Sequence, residues 1–142
     1  MTMTRDPSLL PLPEKNPAHQ PFWDGAANGK LMFQRCCNCG HAFLPGREEC
    51  PQCLEPDLAW EEASGRGTLY SWITYHRAYG PAYQTRVPYT VGIVVLEEGP
   101  RLASNIVGIA DPEALTIDQP LELQIEMDDG IAIPRFRPAG PA

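Results

Sequence analysis

The sequence predicts a mostly β protein in which a short N-terminal helix precedes a four-cysteine metal ribbon and a small barrel. Three observations carry this. Two Cys-x-x-Cys pairs, Cys36/Cys39 and Cys50/Cys53, stand with ten residues between them, the spacing of a tetrahedral thiolate site. Sixteen prolines in 142 residues break the chain too often for long helices. Beyond Trp60, short runs rich in β-branched and aromatic residues recur between turn signals, as strands do.

Residues 1–15, with Pro7, Pro11 and Pro13, read as a flexible or extended arm. Asn16-Pro17 is a helix-start signature, with Asn as N-cap and Pro at the first helical position. The helix is expected near residues 17–28 within a segment 16–30, ended by Gly29. Phe22 and Trp23 on it are candidates for packing or for a partner surface, since aromatics are enriched in interface cores. Leu31–Arg35 and Ala42–Pro45 flank the first cysteine pair as short strands, which makes residues 31–60 a rubredoxin-like zinc ribbon. After the Ser64-Gly65-Arg66-Gly67 turn come five strands: Thr68–Tyr75, Tyr89–Glu97, Arg101–Val107, Leu121–Met127 and Ile131–Arg137. Leu121–Met127 alternates apolar and polar residues, with Glu122 and Glu126 on the wet face. One connection, Asp111–Leu115, leaves room for a helical turn between the third and fourth strands. Five strands with that insert fit an OB-fold barrel over residues 61–138, with an SH3-like barrel as the alternative and a tail at 139–142.

Four thiolates at Cys36, Cys39, Cys50 and Cys53 fill a tetrahedral coordination sphere and leave no open position, the mark of a structural Zn2+ site. Cys37 breaks the two-residue gap and is left as the spare thiol. Disulfides, rubredoxin-type iron, or His41 as a substitute ligand are the alternatives weighed against this. Gly40 suits the positive φ needed after the first pair, whereas Leu54 holds the equivalent place after the second.

The net charge is −7, with five basic and seven acidic residues in 1–60 and six and eleven in 61–142. An acidic chain is ill suited to neutralising a polyanion, so nucleic acid is an unlikely partner. No apolar run is long enough for a membrane span, and no signal sequence is visible at the N-terminus. With reduced cysteines, this points to a cytoplasmic location. No nucleophile elbow, phosphate loop or metalloprotease motif occurs, and no catalytic residue is assigned. The chemically loaded stretch is the loop Tyr75–Arg86, with Tyr75, His76, Arg77, Tyr79, Tyr83 and Arg86 as candidate ligand or partner contacts. Arginine can grip phosphate and tyrosine can stack on an adenine ring.

Several of these residues stand in an order that resembles a known family. They are Phe22-Trp23, Leu31, Arg35-Cys36-x-x-Cys39-Gly40, Cys50-Pro51-x-Cys53, Trp60, Ser64-Gly65-Arg66-Gly67-Thr68, Pro88-Tyr89, Leu96-x-x-Gly99 and Phe136-x-Pro138. The family is the zinc-ribbon plus OB-fold proteins associated with thiolases and other acyl-CoA enzymes, long catalogued as a domain of unknown function. Asp118 departs from its pattern, which more often has Gly there. The resemblance implies a non-catalytic subunit that binds a thiolase-fold enzyme acting on CoA thioesters by Claisen, retro-Claisen, aldolase or acyltransferase chemistry, or that is fused to a hydratase-like domain. Such a subunit would help to form the acyl-CoA site. A nucleic-acid-binding module and a stand-alone acyl-CoA-binding protein are the alternative functions.

Overall fold

The computed structural model describes residues 5–140. Helix α1 (Gln20–Ala27) begins three residues later than the Asn16-Pro17 signature predicts. Asn16 Oδ1 does accept a hydrogen bond, from the Ala18 N–H at 3.0 Å, but this closes a turn ahead of the helix. His19 occupies the N-cap without a side-chain bond, and Pro21 takes the first turn, where its missing N–H costs nothing. At the other end Gly29, with φ at +78°, lets the chain turn back so that the Lys30 N–H reaches Gly25 O at 2.8 Å.

The ribbon is a three-stranded antiparallel sheet, with β1 (Met32–Cys36) between β2 (Ala42–Phe43) and β3 (Leu58–Glu62). β3 was not expected from the sequence. Its residues Leu58-Ala59-Trp60-Glu61-Glu62 show no clear alternation and are only half-buried, yet they pair along the whole of β1 from Met32–Glu62 to Cys36–Leu58. Leu31, just ahead of β1, and Phe33 on it pack into the main core, apart from the cysteine cluster. Gln34 is also buried; its side chain accepts from the Arg47 N–H at 2.7 Å and donates to Arg47 O at 3.1 Å, which fastens the loop before Cys50.

The remaining strands are β4 (Arg66–Tyr75), β5 (Tyr89–Leu96), β6 (Arg101–Ile106), β7 (Pro120–Asp128) and β8 (Ile131–Pro138). They close in the order β4-β5-β6-β8-β7, antiparallel except for one parallel pairing of Ile106 with Phe136. This is the OB arrangement. Arg66 and Gly67, expected in the turn, already belong to β4, because both pair with β7. Leu69, Val94, Leu96, Ile106, Leu121 and Phe136 fill the interior, and each such burial contributes roughly 1.5–3 kcal/mol. Gly92 faces inward at a crowded point: a Cβ there would lie 2.8 Å from Ile106 Cγ1 and 2.9 Å from Leu69 Cδ1. A bulge between Leu69 and Ser71 pushes Tyr70 out to solvent. Asp118, where glycine was the commoner expectation, adopts the glycine-like φ of +64° and donates its N–H to Leu69 O at 2.7 Å. β7 and β8 are joined by Asp129-Gly130, both at positive φ, the two-residue turn that matches strand twist. The apolar face of β7 is not buried to its end, and Met127 is 71% exposed where the barrel runs out.

The N-terminal arm, expected to be flexible, is tied to the barrel from Arg5 onward. Leu10 is buried with Ala82 and Ile131, packed about by Trp23, Tyr83 and Ile133, in a second small core on the outside of β8. Arg5 donates to Leu10 O at 2.6 Å and to Asp129 O at 2.8 Å. The physical cause is an apolar anchor between two prolines' worth of extended chain, with a left-handed turn residue placed to receive it. No helix among the described residues is long and apolar enough to cross a membrane.

Candidate functional site

Each cysteine pair sits on a tight turn. The Gly40 N–H donates to Cys36 O at 2.9 Å, and the Leu54 N–H donates to Cys50 O at 2.9 Å. Both closing residues have positive φ, +80° at Gly40 and +68° at Leu54, so Leu54 accepts a conformation that glycine takes freely. The turns aim backbone N–H groups of Asn38 and Cys39 at Cys36 Sγ, and that of Gln52 at Cys50 Sγ, each at 3.4 Å. The sulfurs of Cys36, Cys39, Cys50 and Cys53 all lie within 4.8 Å of one another. The Cys36–Cys53 and Cys39–Cys50 sulfurs are 3.5 and 3.6 Å apart. A tetrahedron with Zn–S bonds of roughly 2.3 Å has edges of about 3.8 Å, so the cluster fits Zn2+ directly. All five cysteines are free thiols. The Glu55 N–H and the Asn38 side chain hold the Cys53 thiol down at about 6, whereas despite the His41 N–H, burial and the neighbouring cysteine thiols push Cys39 up to about 12, so the crowded sulfurs share one negative charge until a cation joins them. Bound there, zinc would have four sulfur ligands and supply cross-linking, with no position for substrate.

His41 is not part of the cluster; its ring stacks on Phe43 with centroids 5.7 Å apart. Cys37 is exposed, yet partial desolvation of its sulfur by its neighbours, together with the nearby Asp57 carboxylate, pushes its thiol up, away from reactive thiolate character. Arg35 lies beside the first turn, where it donates to Gly40 O at 3.0 Å and pairs with Glu61 at 2.7 Å.

The second feature is a groove of about 710 Å³ where the arm, α1 and the loop after β4 meet the barrel. Leu10, Trp23, Tyr83, Ile131 and Ile133 make its apolar wall, and Thr74, Thr90, Asn105, Arg86 and Arg135 place polar atoms along it. Its size and mixture of lining are those of a small-molecule cleft. The loop candidates divide here. Tyr75, Tyr79 and Tyr83 gather with Tyr89, which stacks on Tyr75 at 5.2 Å and on Tyr83 at 5.6 Å. His76 and Arg77 stay at the surface, Arg77 lying over the Tyr79 ring at 5.4 Å. Phe22 and Trp23 meet edge to face at 5.1 Å and pack against their own chain, Phe22 toward the barrel core and Trp23 toward the groove.

Arg86 is engaged within the chain and does not stand open to a ligand anion. Its guanidinium bonds both Asp128 and Asp129, and its Nε donates to Ala82 O at 2.9 Å. Arg135 completes the chain of charge with Asp128 at 2.7 Å and Glu126 at 3.0 Å. Hydrogen bonding from Arg86, seconded by Arg135, holds the Asp128 carboxyl below the usual range. The network therefore locks the loop and the β7–β8 turn together. Leu10, Asn105, Ile133 and Arg135 were not foreseen as groove residues. The apolar alternation Ile131-x-Ile133 opposite a Leu-Pro-Leu-Pro arm was the available signal.

Fold and cysteine cluster together define a zinc-ribbon protein with an OB-fold barrel. Two domain families match it: the ChsH2 rubredoxin-like zinc ribbon domain over residues 23–59, and the ChsH2 C-terminal OB-fold domain over residues 60–126. The chain belongs to this ChsH2, or DUF35, family. It is 34% identical over 107 residues to a DUF35 domain-containing scaffold protein of Methanocaldococcus jannaschii, covering 71% of this chain and 74% of that one. It is 37% identical over 141 residues to a probable enoyl-CoA hydratase alpha subunit of Thermomonospora curvata, covering 99% of this chain but 43% of that protein, so it spans less than half of that relative. Among solved structures it superposes on a chain of the Ltp2-ChsH2(DUF35) aldolase with a TM-score of 0.81 and 37% identity, over 91% of this chain and all of that one.

Proposed function

We propose that this chain is a non-catalytic zinc-ribbon/OB-fold subunit that associates with a thiolase-fold enzyme acting on CoA thioesters and helps to form the acyl-CoA site. The observation that carries this is the likeness, over the whole of the matched chain, to the ChsH2(DUF35) component of an aldolase that also contains Ltp2. The absence of any assigned nucleophile or acid–base pair in the sequence agrees with a supporting role, as does the full thiolate set around the metal. The groove, with its apolar wall and its threonine and asparagine side chains, is the part of this chain suited to an acyl or pantetheine segment. The relation to a hydratase alpha subunit more than twice as long supports a related arrangement, in which such a module works beside a hydratase domain.

Co-expression with a thiolase-fold protein that acts on CoA thioesters tests the proposal. A stable complex that turns over a CoA thioester, with the chain alone inactive, is the expected result. Separate elution of the two proteins, with the enzyme fully active alone, would remove the reading.

A further inference from the structure

The outer face of β4-β5-β6 has a composition that a solvated sheet does not need. Side chains alternate across a strand, and on β5 the inward positions are Thr90, Gly92, Val94 and Leu96, all buried. The outward positions are Tyr89, Val91, Ile93 and Val95. Register places Tyr75 beside Tyr89, Ile73 beside Val91, and Ala103 beside Ile93, so the apolar surface runs across three strands. Ile73 is 56% exposed and the bulge residue Tyr70 is 49% exposed. A half-wet antiparallel sheet normally puts polar residues outward, whereas here that role falls to Thr68, Ser71 and Asn105 alone among the uncharged positions.

Charge distinguishes the possible occupants. No Asp or Glu occurs between Glu62 and Glu97 in a chain of net charge −7. The cations bordering the face are Arg101, whose guanidinium lies 4.5 Å from the Tyr70 ring centre across β5, and Arg77 over Tyr79. Neither arginine pairs with a carboxylate among the described residues, although five other arginines do. A second copy seated on this face would offer these arginines only the same strands, which carry no carboxylate. Single-stranded nucleic acid would need free aromatic faces and a continuous basic track, but Tyr75, Tyr83 and Tyr89 are stacked on one another and the strands between are aliphatic.

We infer that the outer face of β4-β5-β6, centred on Ile73, Val91 and Ile93, is the docking surface for a different protein, one whose contact patch is apolar at its centre and carries carboxylates at its rim for Arg77 and Arg101. Resting on the function proposed above, the occupant is the thiolase-fold subunit. The face sits on rigid strands that the zinc ribbon and barrel core hold in place, so it is already organised before the partner arrives.

The experiment measures affinity between the co-expressed thiolase-fold protein and purified variants by surface plasmon resonance, at two salt concentrations. Ile73→Asp is expected to weaken binding at least tenfold, and Arg101→Glu to slow association and flatten its salt dependence. Met127→Asp, which alters a still more exposed apolar residue off this face, is expected to change nothing. Zinc content and melting temperature matched to wild type exclude misfolding as the cause. If wild type binds and Ile73→Asp binds equally well, the surface assignment falls while the proposed function stands. If wild type does not bind, the proposed function falls and takes this with it. A dimer in solution that Ile73→Asp dissolves, or salt-sensitive binding of a fluorescent single-stranded RNA abolished by Arg101→Glu, would also overturn it.

Discussion

The Leu10 N–H donates to the Asp129 carboxylate at 2.8 Å, joining residues 119 apart in sequence. The same carboxylate accepts from Arg86, so one turn residue holds both the N-terminal arm and the loop after β4. Leu10 itself is 7% exposed. Leu10→Ala is therefore expected to cost about 2–3 kcal/mol, read as a lower denaturant midpoint with an unchanged slope. An unaltered midpoint would mean that the arm contributes no anchorage in solution.

The ribbon and barrel share one core, since Leu31 and Phe33, before and on β1, pack with Leu69, Val94 and Phe136. Loss of metal should accordingly disturb the barrel as well as the cysteine turns. Elemental analysis is expected to find one zinc per chain, and Cys50→Ser to abolish it. Cys37→Ser should leave metal content and stability within about 0.5 kcal/mol of wild type, as surface substitutions do. A strong chelator should lower the melting temperature of the whole domain in one transition. A coloured preparation with visible thiolate-to-iron bands would instead identify iron.

Acid should act through Asp128. Its carboxyl is held below the ordinary carboxylate range by Arg86 and Arg135. A carboxyl depressed in the folded state stabilises above its unfolded pKa, and that contribution disappears as pH falls through the folded value. Asp128→Asn is therefore expected to cost about 2 kcal/mol at pH 7, with the difference from wild type shrinking below pH of about 4. Paired denaturation curves from pH 7 to pH 3 provide the check. A difference constant over that range would show that the carboxylate charge is not what Arg86 and Arg135 recognise.

Much of this fold was legible because its elements are marked by local chemistry. Five barrel strands end within two residues of the expected positions, since alternation in Leu121–Met127 and the Glu98-Gly99-Pro100 and Asp129-Gly130 turns are signals carried by the residues themselves. The cysteine spacing likewise contained the metal geometry. β3 was missed because Leu58–Glu62 is a strand by virtue of its pairing with β1, a tertiary cause. The helix start was misplaced because Asn16 spends its side chain on a turn. Arg86, read as a possible phosphate ligand, turned out to bond Asp128 and Asp129, 42 and 43 residues away, and nothing local to Tyr75–Arg86 announces that.

The two cysteine turns differ at one residue, and the difference predicts a stabilising substitution. Gly40 and Leu54 close equivalent turns at φ of +80° and +68°. A side chain in the left-handed region costs roughly 1–2 kcal/mol, whereas glycine pays roughly 0.5–1 kcal/mol for its greater freedom when unfolded. Leu54 is 69% exposed, so its side chain forfeits little burial on removal. Leu54→Gly is expected to stabilise the ribbon by about 0.5 kcal/mol, seen as a higher chelator concentration at the midpoint of zinc loss. Gly40→Ala should move the same midpoint the other way, and two shifts of equal sign would refute the conformational explanation.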